Sequence, residues 1–164
     1  MKTVPLGGSQ AAGRVALIDA ADAALLAGYS WYAELHRHTY YARAHVPGSG
    51  RYGRSVYMHH LLAGPGTDHR NRDGLDNQRS NLRPATVSQN NANARKHSCN
   101  GGGAPSSVFK GVADSGYSGW RAYIWRDSAQ RYLGTFATEE DAARAYDAAA
   151  VAQWGEYALL NFPA

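Results

Sequence analysis

A chain of 164 residues is long enough for one full hydrophobic core or for two small domains, each with a short sheet and a helix. Its 17 Lys and Arg against 13 Asp and Glu leave a formal net charge of +4, a balance that suits a polyanionic partner without requiring one. The single cysteine, Cys99, excludes an internal disulfide and a thiolate zinc knuckle, no apolar run approaches the ~20 residues of a membrane span, and the N-terminus lacks a signal-peptide pattern. The expectation is a soluble cytoplasmic protein in a reducing compartment.

In chain order, residues 15–19 read as a short strand and 19–27 as a helix with its apolar positions on one side and Gly28 just beyond. Residues 31–35, 39–45 and 55–58 have strand composition, so the N-terminal half is mixed α and β. Within it His36, Arg37, His38, Tyr40, Tyr41 and Arg43 form a basic, aromatic cluster, read as an exposed strand pair that also fits phosphate contact. His59 and His60, beside Leu61 and Leu62, read as packed, hydrogen-bonded side chains.

The densest polar chemistry lies at 67–96, where one His, three Asp and six Asn occupy thirty residues. Asn and Gly favour turns, so a long polar loop is the plain reading. Thr86 and Gln89, however, form a Thr-x-x-Gln capping box, which predicts a helix from Val87 with Asn90 in its first turns. Phosphodiester hydrolysis needs a base, a cation on the phosphate and a group that orients the base, and Asp68, His69, Asn81 and Asn90 carry donors of those kinds. Carboxylate and amide oxygens suit a hard cation such as Mg2+ or Mn2+. Asn91 competes with Asn90 for the same place, and Arg70 and Arg72 read equally as solvated charge or phosphate contacts.

The segments DHRNRDGLDNQR, SNLRPAT and SQNNAN, with Met58 and His59 upstream, resemble the core of the HNH endonucleases of the ββα-metal type, phage and homing members above all. The resemblance runs over residues 6–95. It implies that His69 is the general base, that Asp68 and Asn90 hold one divalent ion, and that Asn81 shapes the loop and orients His69. Cleavage leaving a 5′-phosphate is part of the same implication.

KHSCNGGGAPSS, residues 96–107, replaces any hydrophobic period with glycine, proline and small polar residues and reads as a flexible linker. Downstream, 108–113, 119–126 and 130–136 are three predicted strands. A helix follows, with Thr138 as N-cap, Glu139, Glu140 and Asp141 in its first turn and Gly155 after its last. Alternation in the middle strand puts Trp120, Ala122 and Ile124 toward the Ala-rich helix and Arg121, Tyr123 and Trp125 on the opposite face. With Lys110 and Tyr132 on the flanking strands, that face has the chemistry to enter a groove of DNA. FKGV, GWRAYI, YLGTF, EEDAARAYDAAA and LNFP resemble the Apetala or ethylene-response-factor type of DNA-binding domain over residues 107–164. This second resemblance implies DNA contact by Lys110, Tyr117, Tyr123, Trp125 and Tyr132, joined by Arg121 and Gln130 through strand position.

The expected fold is therefore α+β: a nuclease domain at 1–95 with its ββα-metal core at 55–95, a Gly-rich linker at 96–107, and a three-stranded antiparallel sheet packed on one helix at 108–164. The expected function is a one-metal HNH endonuclease, a phosphodiester hydrolase acting on double-stranded DNA in a bacterial or phage-infected cytoplasm, as monomer or homodimer. The alternatives are a non-catalytic DNA-binding regulator on a degenerate HNH scaffold and a nuclease acting on RNA or single strands.

Overall fold

The computed structural model describes residues 1–49, 53–96, 105–117, 119–126 and 129–163. The chain is mixed α+β, all its sheets are antiparallel, and it divides into two units, Met1–Val87 and Ser88–Ala164. The division falls N-terminal to the expected domain boundary at residue 95. The expected flexible linker lies largely, at 97–104, outside the described residues.

In the first unit β1 (Lys2–Pro5) pairs with β2 (Val15–Ile18), and β3 (Trp31–His36), β4 (Thr39–His45) and β5 (Ser55–Tyr57) form a sheet in that order. Alternation sends Trp31 and Ala33 of β3 and Ala42 and Ala44 of β4 inward, where they meet Leu6, Ala16, Ile18 and Leu26. The helix expected over 19–27 shortens to a 3-10 turn, Ala20–Asp22, and one turn of α-helix, α1 (Ala23–Leu26). Its two aspartates are engaged elsewhere. Asp19 Oδ2 accepts the backbone N–H of Arg79 at 2.9 Å, and the buried Asp22 carboxylate accepts Arg79 Nε and Nη2, so neither caps a helix start. α2 (Met58–Ala63) follows β5 without a loop, burying Met58, His59 and Leu62. β6 (Thr67–His69) then pairs with β7 (Leu82–Pro84), setting Asp68 opposite Arg83 and His69 opposite Leu82.

α3 (Val87–Asn93) begins at the division, and β8 (Val112–Asp114), β9 (Trp120–Arg126) and β10 (Ala129–Phe136) make the second unit's sheet, with β9 central. β8 starts four residues later than the strand expected at 108–113. The carbonyls of Ser107 and Phe109 are drawn onto Lys96 Nζ, at 2.8 and 2.6 Å, and Gly111 sits at φ +76°. That glycine is obligatory: a Cβ there would lie 2.0 Å from the Tyr146 ring and 2.7 Å from the Tyr123 carbonyl.

α4 (Glu139–Trp154) packs Ala142, Ala143, Tyr146 and Ala150 against the sheet residues Val112, Ala122 and Ile124. Methyl-sized side chains on the helix allow this close approach. Thr138 caps it, its Oγ1 accepting the Asp141 N–H at 3.1 Å, and Gly155 at φ +54° ends it. The buried Asp147 carboxylate accepts the N–H groups of Asn161 and Phe162, both at 2.9 Å, which pins the C-terminal segment to the helix. Thr138→Ala removes the cap at a cost of about 1 kcal/mol, and the thermal midpoint of the second unit is expected to drop by roughly 4–8 °C. Calorimetry showing an unchanged midpoint would mean that the cap contributes nothing.

Candidate nucleic-acid interface

The polar residues of the expected nuclease core come together on β6, β7 and the loop between them. Asp68 and Arg83 are each under a tenth exposed, and Arg83 donates from Nε to Asp68 Oδ2 at 2.9 Å while its Nη2 stands 2.9 Å from the same oxygen. This carboxylate already has a cationic partner inside the fold. His69 is equally buried, its Nε2 3.4 Å from Oδ1 of the fully buried Asn77 and its ring packed on His59 at 4.8 Å and Tyr41 at 5.7 Å. Asn81 shapes the loop, accepting from the Asn71 N–H at 3.0 Å and donating to the Asp76 carbonyl at 2.7 Å. Asn77, which the sequence reading did not name, stands beside the imidazole.

Asn90, and its competitor Asn91, lie in the second unit, where the carbonyls of Asn91, Ala92 and Ala94 accept from Lys110 Nζ. The expected metal pair, Asp68 with Asn90, is therefore not a feature of either unit. Among the described residues no cluster of three His, Cys, Asp or Glu side chains is placed to hold an ion. The donor set does not fit a resident Mg2+ or Mn2+: its one carboxylate is neutralised by a buried guanidinium.

His59 is packed as expected but not hydrogen-bonded as expected, because its buried Nδ1 has no partner among the described residues. Burial first, and repulsion from His69 and His60 second, push its pKa down to about 3. Burial also lowers His69, against the opposing pull of its Asn77 hydrogen bond and of Asp68, Asp73 and Asp76.

In the second unit Ala122 and Ile124 face α4, so Arg121, Tyr123 and Trp125 face away from it. Register sets Gln130 opposite Trp125, Tyr132 opposite Tyr123, and Ala113 and Thr135 opposite Arg121, giving one continuous outer face. Trp125 and Tyr132 are 60% and 58% exposed, too much for core residues, and the Tyr123 and Tyr132 rings stand 5.7 Å apart. Arg121 is braced, donating from Nη2 to the Ser115 carbonyl at 2.7 Å, while Tyr117 stands fully exposed in the β8–β9 turn. Lys110 precedes β8, and its ammonium caps the C-terminal carbonyls of α3. Thr135 joins this face although strict alternation would turn it inward. A bulge between Tyr132 and Gly134 reverses the parity, and Gly134 was the legible sign of it.

Fold and surface together define an α+β protein whose second unit exposes an aromatic antiparallel sheet face backed by one helix. No family model matches the chain. It is similar to an AP2-like ethylene-responsive transcription factor of Arabidopsis thaliana, 40% identical over 72 residues, covering 37% of this chain and 17% of that protein. An AP2/ERF and B3 domain-containing protein of Oryza sativa subsp. japonica is 48% identical over 58 residues, covering 35% and 16%. An ethylene-responsive transcription factor of Arabidopsis thaliana is 39% identical over 70 residues, covering 36% and 16%. The chain thus spans about a sixth of the length of these relatives, and the similarity supports an AP2-like DNA-binding domain.

These findings correct the expected function. Several of the relatives are named ethylene-responsive transcription factors, DNA-binding regulators and not nucleases, so the HNH endonuclease, phosphodiester-hydrolase and homing readings are overturned, and with them the Mg2+ or Mn2+ cofactor. The expected setting in a bacterial or phage-infected cytoplasm is corrected on the same ground, since these relatives are plant proteins. Among the described residues no helix is long and apolar enough to cross a membrane.

Two outcomes follow for the polar cluster. Arg83→Met strands the Asp68 carboxylate without its counter-charge and is expected to destabilise the first unit by roughly 3–5 kcal/mol, read as a lowered urea midpoint. His59, neutral in the folded state down to about 3, titrates near its ordinary value once unfolded, so its contribution to stability is complete above about pH 6.5 and is lost as pH falls from there toward 3. Lowering the pH from 7.5 to 5 should remove about 2 kcal/mol through this residue, a loss that His59→Gln abolishes. Identical pH profiles for the two proteins would refute the assignment.

Proposed function

We propose that this chain is a non-catalytic DNA-binding regulator that reads duplex DNA with the outer face of β8, β9 and β10. The observation that carries the reading is that face itself: Trp125 and Tyr132 are exposed on a sheet whose other side is sealed by α4, and Tyr117 is exposed in its β8–β9 turn. Large aromatic side chains left in solvent on a firmly backed surface are characteristic of a binding surface. The likeness to proteins named transcription factors points to the same ligand.

In this reading Tyr117, Arg121, Tyr123, Trp125, Gln130 and Tyr132 face the duplex, with Trp125 and Tyr132 central. Lys110 braces the unit through its bonds to α3. Residues 108–164 form the DNA-binding domain, 96–107 the connection, and 1–95 a docking domain that keeps an HNH-like scaffold in a non-catalytic form. The paired Asp68 and Arg83 support that last point, because they give the polar cluster a structural use.

Fluorescence anisotropy with random-sequence and selected duplexes tests the reading. Trp125→Ala is expected to weaken duplex binding about tenfold, or ~1.4 kcal/mol, with its thermal midpoint close to wild type because the ring supports no core. Unchanged affinity would sink the assignment of this face. Supercoiled plasmid incubated with the protein and Mg2+ should be retarded in a gel and migrate intact after protease digestion. Nicked or linear product would overturn the non-catalytic reading.

A further inference from the structure

The charge of the chain is unevenly divided. Residues 1–87 carry 10 Lys and Arg against 6 Asp and Glu, whereas residues 88–164 carry 7 against 7, so the whole excess of +4 sits in the first unit. The second unit is neutral as a whole, its sheet strands carrying Arg121, Arg126 and Arg131 against Asp114 while four of its acids lie on α4, so the net long-range attraction of the chain to phosphate is that of the first unit.

Three segments of the first unit converge around Tyr40. The Arg14 guanidinium carbon stands 3.8 Å from the centre of the Tyr40 ring, and the preceding loop is tied to β3 by Gln10 Oε1, which accepts the Leu35 N–H at 2.6 Å. The turn between β3 and β4 carries Arg37 and His38, both exposed. The loop after β6 brings Arg70 and Arg72, also exposed, against that turn: Thr39 Oγ1 donates to the Arg72 carbonyl and accepts from Gly74 N–H, both at 3.4 Å.

Two of these arginines occupy a backbone conformation that disfavours them. Arg37 lies at φ +58° and Arg72 at φ +66°, the left-handed region in which glycine or asparagine costs least. Both turn tips hold a long cationic side chain in solvent at a conformational cost, which fits a role for the guanidinium itself.

We infer that Arg37 and Arg72, supported by Arg14 and Arg70, form a second DNA-contacting surface, one that binds the phosphate backbone of duplex DNA without reading its sequence. The inference rests on DNA being the ligand proposed above. In this arrangement the first unit supplies affinity common to all duplexes, and the sheet of the second supplies preference among them.

The test is a double variant, Arg37→Gly with Arg72→Gly, in the full chain. Glycine suits both positive-φ positions, so the thermal midpoint should be no lower than wild type, which separates lost contact from lost folding. Anisotropy titrations on random-sequence and selected duplexes at several salt concentrations should show binding weakened about tenfold on both, with the dependence of log Kd on log salt shallower by about 2. Wild-type affinity and salt slope in the double variant, beside a Trp125→Ala protein that binds more weakly, would overturn this inference and leave the reading face standing. Loss confined to the selected duplex would also overturn it. No binding of any duplex by the wild-type chain would overturn both.

Discussion

The contact on which the second unit depends is that of Ala142, Ala143 and Ala150 with Ala122 and Ile124. Four alanines, each fully buried, bring α4 almost to the backbone of β9. At that separation neither partner tolerates a larger side chain without strain. Because side chains on a strand alternate, fixing Ala122 and Ile124 inward fixes Arg121, Tyr123 and Trp125 outward, and the binding surface follows from the core. The remaining devices hold this sandwich in place: Thr138 starts the helix, Gly111 lets the Tyr146 ring close on the chain, and Asp147 ties down the C-terminal segment.

The first unit meets a different constraint, the burial of polar groups around β6. Asp68, His69, Asn77 and Arg83 are each under a tenth exposed. A buried charge without a counter-charge is costly, and the antiparallel register brings Arg83 opposite Asp68 to supply one. His59 and His69 avoid the cost in another way, by staying neutral, and their rings pack with Tyr41 and Tyr57 as apolar bodies do. The cluster thus has a physical account as part of the fold.

The parts of this architecture that were legible in the sequence are those in which a local signal and the tertiary contact coincide. The Thr138 cap, the acidic first turn of α4, Gly155 at its end and the alternation of β9 are of this kind, and the structure has them within a residue of their expected places. α2 was not legible, because six residues hold too little of a 3.6-residue period to register beside two histidines. The long helix expected at 19–27 failed for a tertiary reason. Asp19 and Asp22 look like helix-start residues in sequence, but Arg79, nearly sixty residues away, takes both carboxylates. The expected metal failed in the same way. Asp68 has the donor chemistry of a metal ligand until Arg83, fifteen residues on, is paired with it, and only strand register reveals that partner.

On the proposed function, charge placement explains how one modestly basic chain can hold a DNA-reading unit with no net charge of its own. Strong positive potential beside the reading face would bind every duplex alike and dilute discrimination, since phosphate contacts carry no sequence information. With residues 88–164 balanced at 7 against 7, the proposed contacts of Tyr123, Trp125, Gln130 and Tyr132 would draw on aromatic contact and hydrogen bonding, both of which depend on the base edges presented. The excess of +4 is confined to residues 1–87, where Arg37 and Arg72 hold left-handed turns in solvent. A chain built this way can raise its total affinity by adding arginines to the first unit while leaving the ratio between cognate and random DNA to the sheet, because the two contributions multiply in binding constant and only one of them depends on sequence.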